Sequence, residues 1–219
     1  MLRHVDVPQG SPEWFTARLG RVTASEAASV LAQGRGKAEA VTRRDYRTRL
    51  VCERLTGTMV EEPYTNAAME HGTTYEPMAR ERFAATIGET VHESGFWLRD
   101  DLLVGASLDG YVSRGDNPLA EVVEIKCPHK TAIHLQTLRD GTVPSNYVPQ
   151  VTHQLWLTGA EGVHFVSFDP RLPEALQLAW IYTPRSVFDV DGYAGAVEQF
   201  LKEVDEDVAE WTARIKAGV

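Results

Sequence analysis

The pattern of apolar and polar positions changes period along the chain. Up to about residue 86, apolar positions recur at helical spacing and follow polar caps, which is typical of helices. This part predicts four helices: one beginning at Ser11-Pro12, a short one over Ala27–Leu31 behind a capping box at Thr23–Glu26, and longer ones over Thr42–Leu55 and Asn66–Thr86. The last of these is predicted to bury Met69, Ala79 and Phe83.

From about Thr90 the pattern favours strands, with turn residues between them. It predicts a meander over Thr90–Leu98, Val104–Val112 and Glu121–Lys126, a helix over Pro149–Thr158, strands at Val163–Phe168 and Leu176–Tyr182, and a final helix from Asp189 or Asp191 to about Lys216. The predicted fold class is α/β (α+β), with a central mixed β-sheet flanked by helices. No linker divides the chain, so we expect a single domain over residues 1–219.

Charge is distributed unevenly. The net charge of −9 argues against nucleic-acid binding, which usually needs a basic face. However, residues 1–50 hold nine basic and five acidic residues, a net of +4, whereas residues 186–219 hold three basic and eight acidic, a net of −5. We therefore expect an anion to meet the first segment, and the acidic final helix to face solvent away from it.

Two cysteines are too few for a disulfide framework or a four-cysteine metal site, which favours a reducing compartment. No apolar leader or membrane span is evident in the sequence. We expect a cytosolic protein with no membrane partner.

The chemistry is concentrated in Ser107-Leu108-Asp109-Gly110 and Val122-Val123-Glu124-Ile125-Lys126. Alternate residues of a strand share a face, so Glu124 and Lys126 project together and the hairpin brings Asp109 beside them. Two carboxylates with the backbone carbonyl of Ile125 suit Mg²⁺ or Mn²⁺, and such ions promote phosphodiester hydrolysis. A turn beside an exposed Glu/Lys pair gives the same bare pattern, so the motif alone leaves both interpretations open.

Motifs along nearly the whole chain carry a resemblance. In chain order they are Glu13-Trp14, Arg18-Leu19-Gly20, Thr23-Ala24-Ser25, His71-Gly72, Tyr75-Glu76, Ser107–Gly110, Glu124–Pro128, Tyr147, Gln150-Val151, Trp156 and Phe168–Arg171. Over residues 11–215 the chain resembles the family of lambda exonuclease and the YqaJ-type viral recombinases. One departure is Leu108, which stands where the strict family signature has proline.

The resemblance implies a restriction-endonuclease-like, PD-(D/E)XK core. It implies a 5′→3′ exonuclease that processively degrades one strand of duplex DNA to mononucleotides, acts as a ring-shaped homotrimer, and leaves a 3′ single strand for a single-strand annealing protein. A phage or prophage origin and a bacterial cytoplasm are implied with it. Two Mg²⁺ or Mn²⁺ ions per site are expected, with Asp109 and Glu124 as ligands, Lys126 as the catalytic lysine, Glu76 as a further acidic residue and Gln150 as a water-placing residue.

The resemblance also assigns DNA contacts. Arg18 and Ser25, with Ser107 as a third candidate, match the family's 5′-phosphate pocket, and a guanidinium and a helix start suit phosphate physically. Arg35 matches a residue that follows the DNA groove. Met69 matches an apolar wedge that splits the terminal base pair, although an apolar residue on a helix more often packs inward.

Two other functions fit the same residues. An endonuclease or Cas4-like end-processing nuclease would share the fold, although the latter often needs four cysteines for an iron–sulfur cluster. A non-catalytic DNA-end-binding module would be expected to lack one of Asp109, Glu124 and Lys126, and all three are present. Cutting of circular duplex separates an endonuclease from an exonuclease.

Overall fold

The structure, a computed structural model, describes residues 1–36, 38–60 and 65–218. Its helices are α1 (Pro12–Arg18), α2 (Ala27–Leu31), α3 (Val41–Thr56), α4 (Ala67–Ile87), α5 (Thr131–Asp140), α6 (Val148–Thr158) and α7 (Val190–Ala217). Its strands are β1 (Leu2–Val5), β2 (Val22–Thr23), β3 (Phe96–Arg99), β4 (Val104–Ser107), β5 (Gly110–Arg114), β6 (Asn117–Lys126), β7 (Gly162–Phe168) and β8 (Leu178–Pro184).

The strands form two four-stranded sheets, with orders β1-β3-β4-β2 and β5-β6-β7-β8. Each sheet is mixed, because β2 runs parallel to β4 and β6 runs parallel to β7, while the other pairs are antiparallel. Parallel neighbours need a long connection, and α5 and α6 supply the one between β6 and β7. The predicted class, a mixed sheet flanked by helices, is confirmed, with two sheets in place of one.

The predicted meander is wrong at its second strand. The stretch predicted as Val104–Val112 breaks at Leu108-Asp109, so that β4 pairs with β3 in the first sheet and β5 pairs with β6 in the second. The two halves differ in burial, since β4 is buried at three consecutive positions whereas β5 alternates between buried and half-buried positions. The break places Asp109 at the point where the chain passes from one sheet to the other.

Two helix starts show how local signals fared. Ser11 caps α1 as predicted, since its hydroxyl accepts a hydrogen bond from the Trp14 backbone N–H at 3.2 Å. The capping box at Thr23–Glu26 is wrong. Thr23 makes no side-chain cap bond, and the Glu26 carboxylate accepts from the Ser29 hydroxyl at 2.9 Å. The Thr23 side chain is thereby available to other partners.

The core lies between the sheets and their helices. One apolar cluster joins α2, α3, α6 and α7 to the first sheet and to one face of the second, and includes the fully buried Leu155, Val163 and Phe200. A second cluster seats Ala79 and Phe83 of α4 on the opposite face of the second sheet. Met69 does not join them and is 52% exposed, so its predicted burial is wrong.

The acidic final helix does not simply face solvent, and that expectation is corrected. Four ion pairs join α7 to the arginine-rich α3: Arg43–Glu203 at 2.7 Å, Arg47–Glu203 at 3.0 Å, Arg54–Asp205 at 2.6 Å and Arg47–Asp207 at 3.2 Å. Several of the basic residues in the first segment are therefore neutralised within the protein. Among the described residues, no helix combines the length and apolar character needed to cross a membrane.

Candidate active site

The predicted site residues surround a cavity of about 770 Å³. Its walls come from the α1–α2 segment, the N-terminal half of α4, the β4–β5 crossover, the end of β6 and the start of α6. The predicted residues that line it are Arg18, Ser25, Met69, Glu76, Ser107, Asp109, Ile125, Lys126 and Gln150. The fold thus brings together residues separated by more than 100 positions in sequence.

Asp109 is held at the crossover by backbone and side-chain contacts. The Ile125 backbone N–H donates to Asp109 Oδ2 at 2.7 Å. Arg80 of α4 donates through Nε to the Asp109 carbonyl oxygen at 2.8 Å and through a terminal nitrogen to Glu76 Oε1 at 2.7 Å. Arg80 therefore joins the two acidic residues, although no sequence motif marked it.

Glu124 is fully buried, and polar side chains contact both of its carboxylate oxygens. Gln150 Nε2 donates to Oε1 and Gln154 Nε2 donates to Oε2, each at 2.6 Å. The Lys126 ammonium forms an ion pair with Oε1. Glu124 and Lys126 therefore share a face of β6, as the strand period predicts, while Ile125 is buried on the other side.

Burial and like charge shift the pKa values of this group. Burial raises the pKa of Asp109 well above its ordinary value, and the nearby charge of Glu124 raises it further. Burial also raises the pKa of Glu76 against the opposing effect of Arg80. Burial lowers the pKa of Lys126, but the charges of Glu124 and Asp109 outweigh it, so the net shift is upward. Lys126 is therefore a charged donor at neutral pH.

The carboxylates fit a hard divalent cation. The charge of Glu124 raises the pKa values of Asp109 and Glu76, and a cation beside these carboxylates would relieve that repulsion. Among the described residues, no three His, Cys, Asp or Glu side chains form a ready ligand cluster. The oxygen atoms that could hold such an ion are the carboxylates of Asp109 and Glu124 and the Ile125 carbonyl, a set that would leave positions for water, as Mg²⁺ prefers.

Arg18, which lines the same cavity, has the surroundings of an anion receptor. Its guanidinium stacks on Trp14, 4.2 Å from the ring centroid, and donates to the hydroxyls of Thr23 at 3.4 Å and Ser25 at 3.3 Å. Trp14 Nε1 donates in turn to the Ser107 hydroxyl at 2.7 Å. All three predicted phosphate ligands, Arg18, Ser25 and Ser107, are thus joined in one polar network.

The two predicted DNA-contact residues differ in position. Met69 lines the cavity on the first turn of α4 and is exposed there. Arg35 is exposed in the loop after α2 and does not line the cavity. Lys37, which follows it in the same basic loop, lies outside the described residues.

Sequence reasoning missed four residues of this region: Trp14, Thr23, Arg80 and Gln154. Trp14 and Thr23 stand in the motifs that carry the resemblance, but were interpreted only as helix-start residues. Gln154 had a usable signal, since it follows Gln150 by four positions on a helix and so shares its face. Arg80 had a partial signal, since Glu76 precedes it by four positions on α4, but no local pattern marks its bond to the Asp109 carbonyl, 29 positions away.

Comparison with known proteins decides the family. A model described as the YqaJ-like viral recombinase domain matches residues 13–161, which include every candidate site residue named above. The chain belongs to the YqaJ-like viral recombinase family. A comparison with curated proteins found no match.

Solved structures agree with the YqaJ-like assignment. The chain is 35% identical to an alkaline exonuclease, LHK-Exo, from Laribacter hongkongensis, with a TM-score of 0.81 over 95% of this chain and 100% of that one. LHK-Exo in complex with dAMP gives 33% identity, the same TM-score and the same coverage. A phage-related exonuclease from Haemophilus somnus 129PT, at 14% identity and a TM-score of 0.63 over 89% of this chain and 96% of that one, shares the fold. These relatives support a nuclease activity for the family member described here.

Proposed function

We propose that this protein is a metal-dependent 5′→3′ exonuclease that degrades the 5′-ended strand of duplex DNA. One observation carries the proposal. A single cavity is lined by Asp109 and Lys126, which with the buried Glu124 behind them suit phosphodiester hydrolysis, and by Arg18, Ser25 and Ser107, which suit a phosphate. An enzyme that binds the terminal 5′ phosphate and cuts the adjacent phosphodiester bond begins digestion at the 5′ end of the strand. The exonuclease relatives support the same activity.

The proposed roles follow from the contacts. Asp109, Glu124 and the Ile125 carbonyl would hold one or two Mg²⁺ or Mn²⁺ ions, which when bound lower the pKa of water and stabilise charge on the phosphate. Lys126, as an ammonium, donates to the attacked phosphate or to the attacking water. Gln150 would orient the Glu124 carboxylate, and Glu76 would act as a further acidic residue beside the ions. Arg18, Ser25 and Ser107 would bind the 5′ phosphate.

The wider proposal follows the resemblance. The chain acts as one domain, residues 1–219, within a ring-shaped homotrimer that digests DNA processively to mononucleotides in the cytoplasm of a bacterial host. The 3′ single strand passes to a single-strand annealing protein in phage-type recombination. Light scattering tests the ring, because a monomer combined with fully processive digestion contradicts it.

Lys126→Ala is the deciding variant. We expect it to lose at least 100-fold of the mononucleotide release from linear 5′-phosphorylated duplex in Mg²⁺, while Lys202→Ala, on the exposed face of α7, retains wild-type activity. Wild-type rates from Lys126→Ala would refute the mechanism. Circular duplex is the second substrate: an intact circle supports the exonuclease, whereas cutting supports the endonuclease alternative. Binding of DNA ends with no release of nucleotide would support the non-catalytic alternative.

A further inference from the structure

Glu124 accepts hydrogen bonds from two glutamine amides, and sequence reasoning gave a role to only one of them. Gln150 and Gln154 stand one turn apart on α6, and their Nε2 atoms donate to Oε1 and Oε2 respectively, each at 2.6 Å. A carboxylate held at both oxygens cannot rotate about its Cγ–Cδ bond. The second amide therefore changes the geometry of the site, because Gln150 alone would leave that rotation open.

Packing alone does not explain a glutamine at position 154. Its side chain is fully buried, and its own Oε1 has no hydrogen-bond partner among the described residues. An unsatisfied buried amide oxygen costs free energy that an apolar side chain of the same shape avoids. The orientation of the amide follows from its partner, since an ionised carboxylate only accepts and Nε2 must face it.

The two carboxylate oxygens of Glu124 differ in the donors that contact them. Among the described residues, Oε1 receives the Gln150 amide and the Lys126 ammonium, both from side chains that line the cavity, while Oε2 receives the Gln154 amide. The Gln154 amide is therefore the contact that holds the second oxygen and sets the orientation of the carboxylate.

We propose that Gln154 is a positioning residue that fixes the Glu124 carboxylate in the orientation in which that carboxylate serves as a ligand of the divalent ion. This rests on the proposed function, in which Glu124 is a metal ligand. Side chains that orient a ligand in this way set metal affinity strongly, and removing one typically costs 10- to 100-fold.

The test is Gln154→Met, which keeps the volume and removes the donor. Mn²⁺ binding is followed without DNA, from the electron paramagnetic resonance signal of the free ion. We expect affinity to fall about tenfold or more. In turnover, the Mg²⁺ concentration for half-maximal rate rises by a similar factor and the KM for DNA ends stays within twofold. Thr152→Val, which removes a buried hydroxyl from the same helix away from Glu124, is the control and keeps wild-type Mn²⁺ affinity.

Unchanged Mn²⁺ affinity and Mg²⁺ dependence in a folded Gln154→Met protein would overturn the inference, as would an affinity loss of the same size in Thr152→Val. A wild-type protein that neither binds Mn²⁺ nor releases nucleotide would instead overturn the proposed function. Should Gln154→Met fail to fold, nuclear magnetic resonance of the wild type decides: the side-chain amide of Gln154 shifts on addition of Mg²⁺ if the inference holds, and stays in place if it does not.

Discussion

The guanidinium of Arg18 lies flat on the indole of Trp14, 4.2 Å from its centroid, and donates only to hydroxyl groups among the contacts of the described residues. Partial burial lowers the pKa of Arg18, against the opposing charges of Glu26 and Glu53. A half-buried guanidinium bonded to neutral groups keeps its capacity for an anion. The 5′ phosphate of a DNA end is the anion that the proposed function supplies.

Arg18→Ala is therefore expected to abolish the preference for phosphorylated ends. Charge-assisted hydrogen bonds are worth about 1.5–3 kcal/mol, so the KM for 5′-phosphorylated duplex rises about 10- to 150-fold. The KM for 5′-hydroxyl duplex changes little. Arg21→Ala is the matched control, because Arg21 is paired with Asp100 and does not line the cavity. A preference that survives in Arg18→Ala contradicts the assignment.

Met69 and Met78 form a second matched pair. Both are exposed on α4, yet only Met69 lines the cavity. If Met69 separates the terminal base pair, Met69→Ala slows digestion of blunt duplex about tenfold, which corresponds to about 1.4 kcal/mol of lost unstacking. Ends with two unpaired nucleotides restore the rate. Met78→Ala leaves both rates unchanged, and equal behaviour of the two variants argues against the wedge.

The ion pairs between α3 and α7 predict a salt-dependent loss of stability. Glu203 accepts from Arg43 through both oxygens and from Arg47, and these side chains are mostly buried. Glu203→Gln is expected to lower the free energy of unfolding by about 1–2 kcal/mol in low salt and by less in 1 M NaCl. Glu206→Gln, whose pairing with Lys202 is exposed at 3.9 Å, changes it by under about 0.5 kcal/mol. Urea unfolding at the two salt concentrations measures both.

His153 predicts acid sensitivity. It is fully buried against the Tyr193 hydroxyl at 2.7 Å, and burial lowers its pKa to about 3. The unfolded chain binds a proton at this residue below about pH 6.5 and the folded protein does not, so stability is complete above that pH and falls as pH drops toward 3.

The contribution of His153 to the free energy of unfolding changes by at most about 1.4 kcal/mol per pH unit. In the wild type, the urea concentration at the midpoint of unfolding is expected to fall between pH 6.5 and 4.5. His153→Gln reduces this acid-dependent fall and also lowers the stability at pH 7.5. His92→Gln, at an exposed position, leaves the fall as it is in the wild type. An unchanged fall in His153→Gln means that other groups control the acid transition.

Local signals in the sequence predicted most of the helices. The Ser11 cap and the apolar spacing of α3, α6 and α7 predict bounds within two residues of those observed. By contrast, β1 and α5 were missed. β1 is four residues long and is defined by pairing with β3, more than 90 positions away. α5 buries polar side chains, His134 and Thr137, so it has no clear apolar stripe.

The candidate site divides in the same way. Asp109, Glu124 and Lys126 could be predicted because their spacing and strand period bring them together. Trp14, Arg80 and Gln154 act through side-chain contacts that span 93, 29 and 30 positions, and no local pattern records such contacts. Exposure of Met69 was also out of reach, since the first turn of α4 extends beyond the sheet on which the rest of the helix packs.

The chain passes from one sheet to the other between Ser107 and Asp109, and this short segment fixes the distance between the two residues. Ser107 ends β4 and Asp109 directly precedes β5, so the two residues are two positions apart and their Cα atoms are separated by at most about 7 Å. The first position is held by one sheet and the second by the other. In the proposed mechanism, a phosphate bound at Ser107 would bring the neighbouring phosphodiester bond to Asp109, so the backbone spacing would limit each cut to one nucleotide.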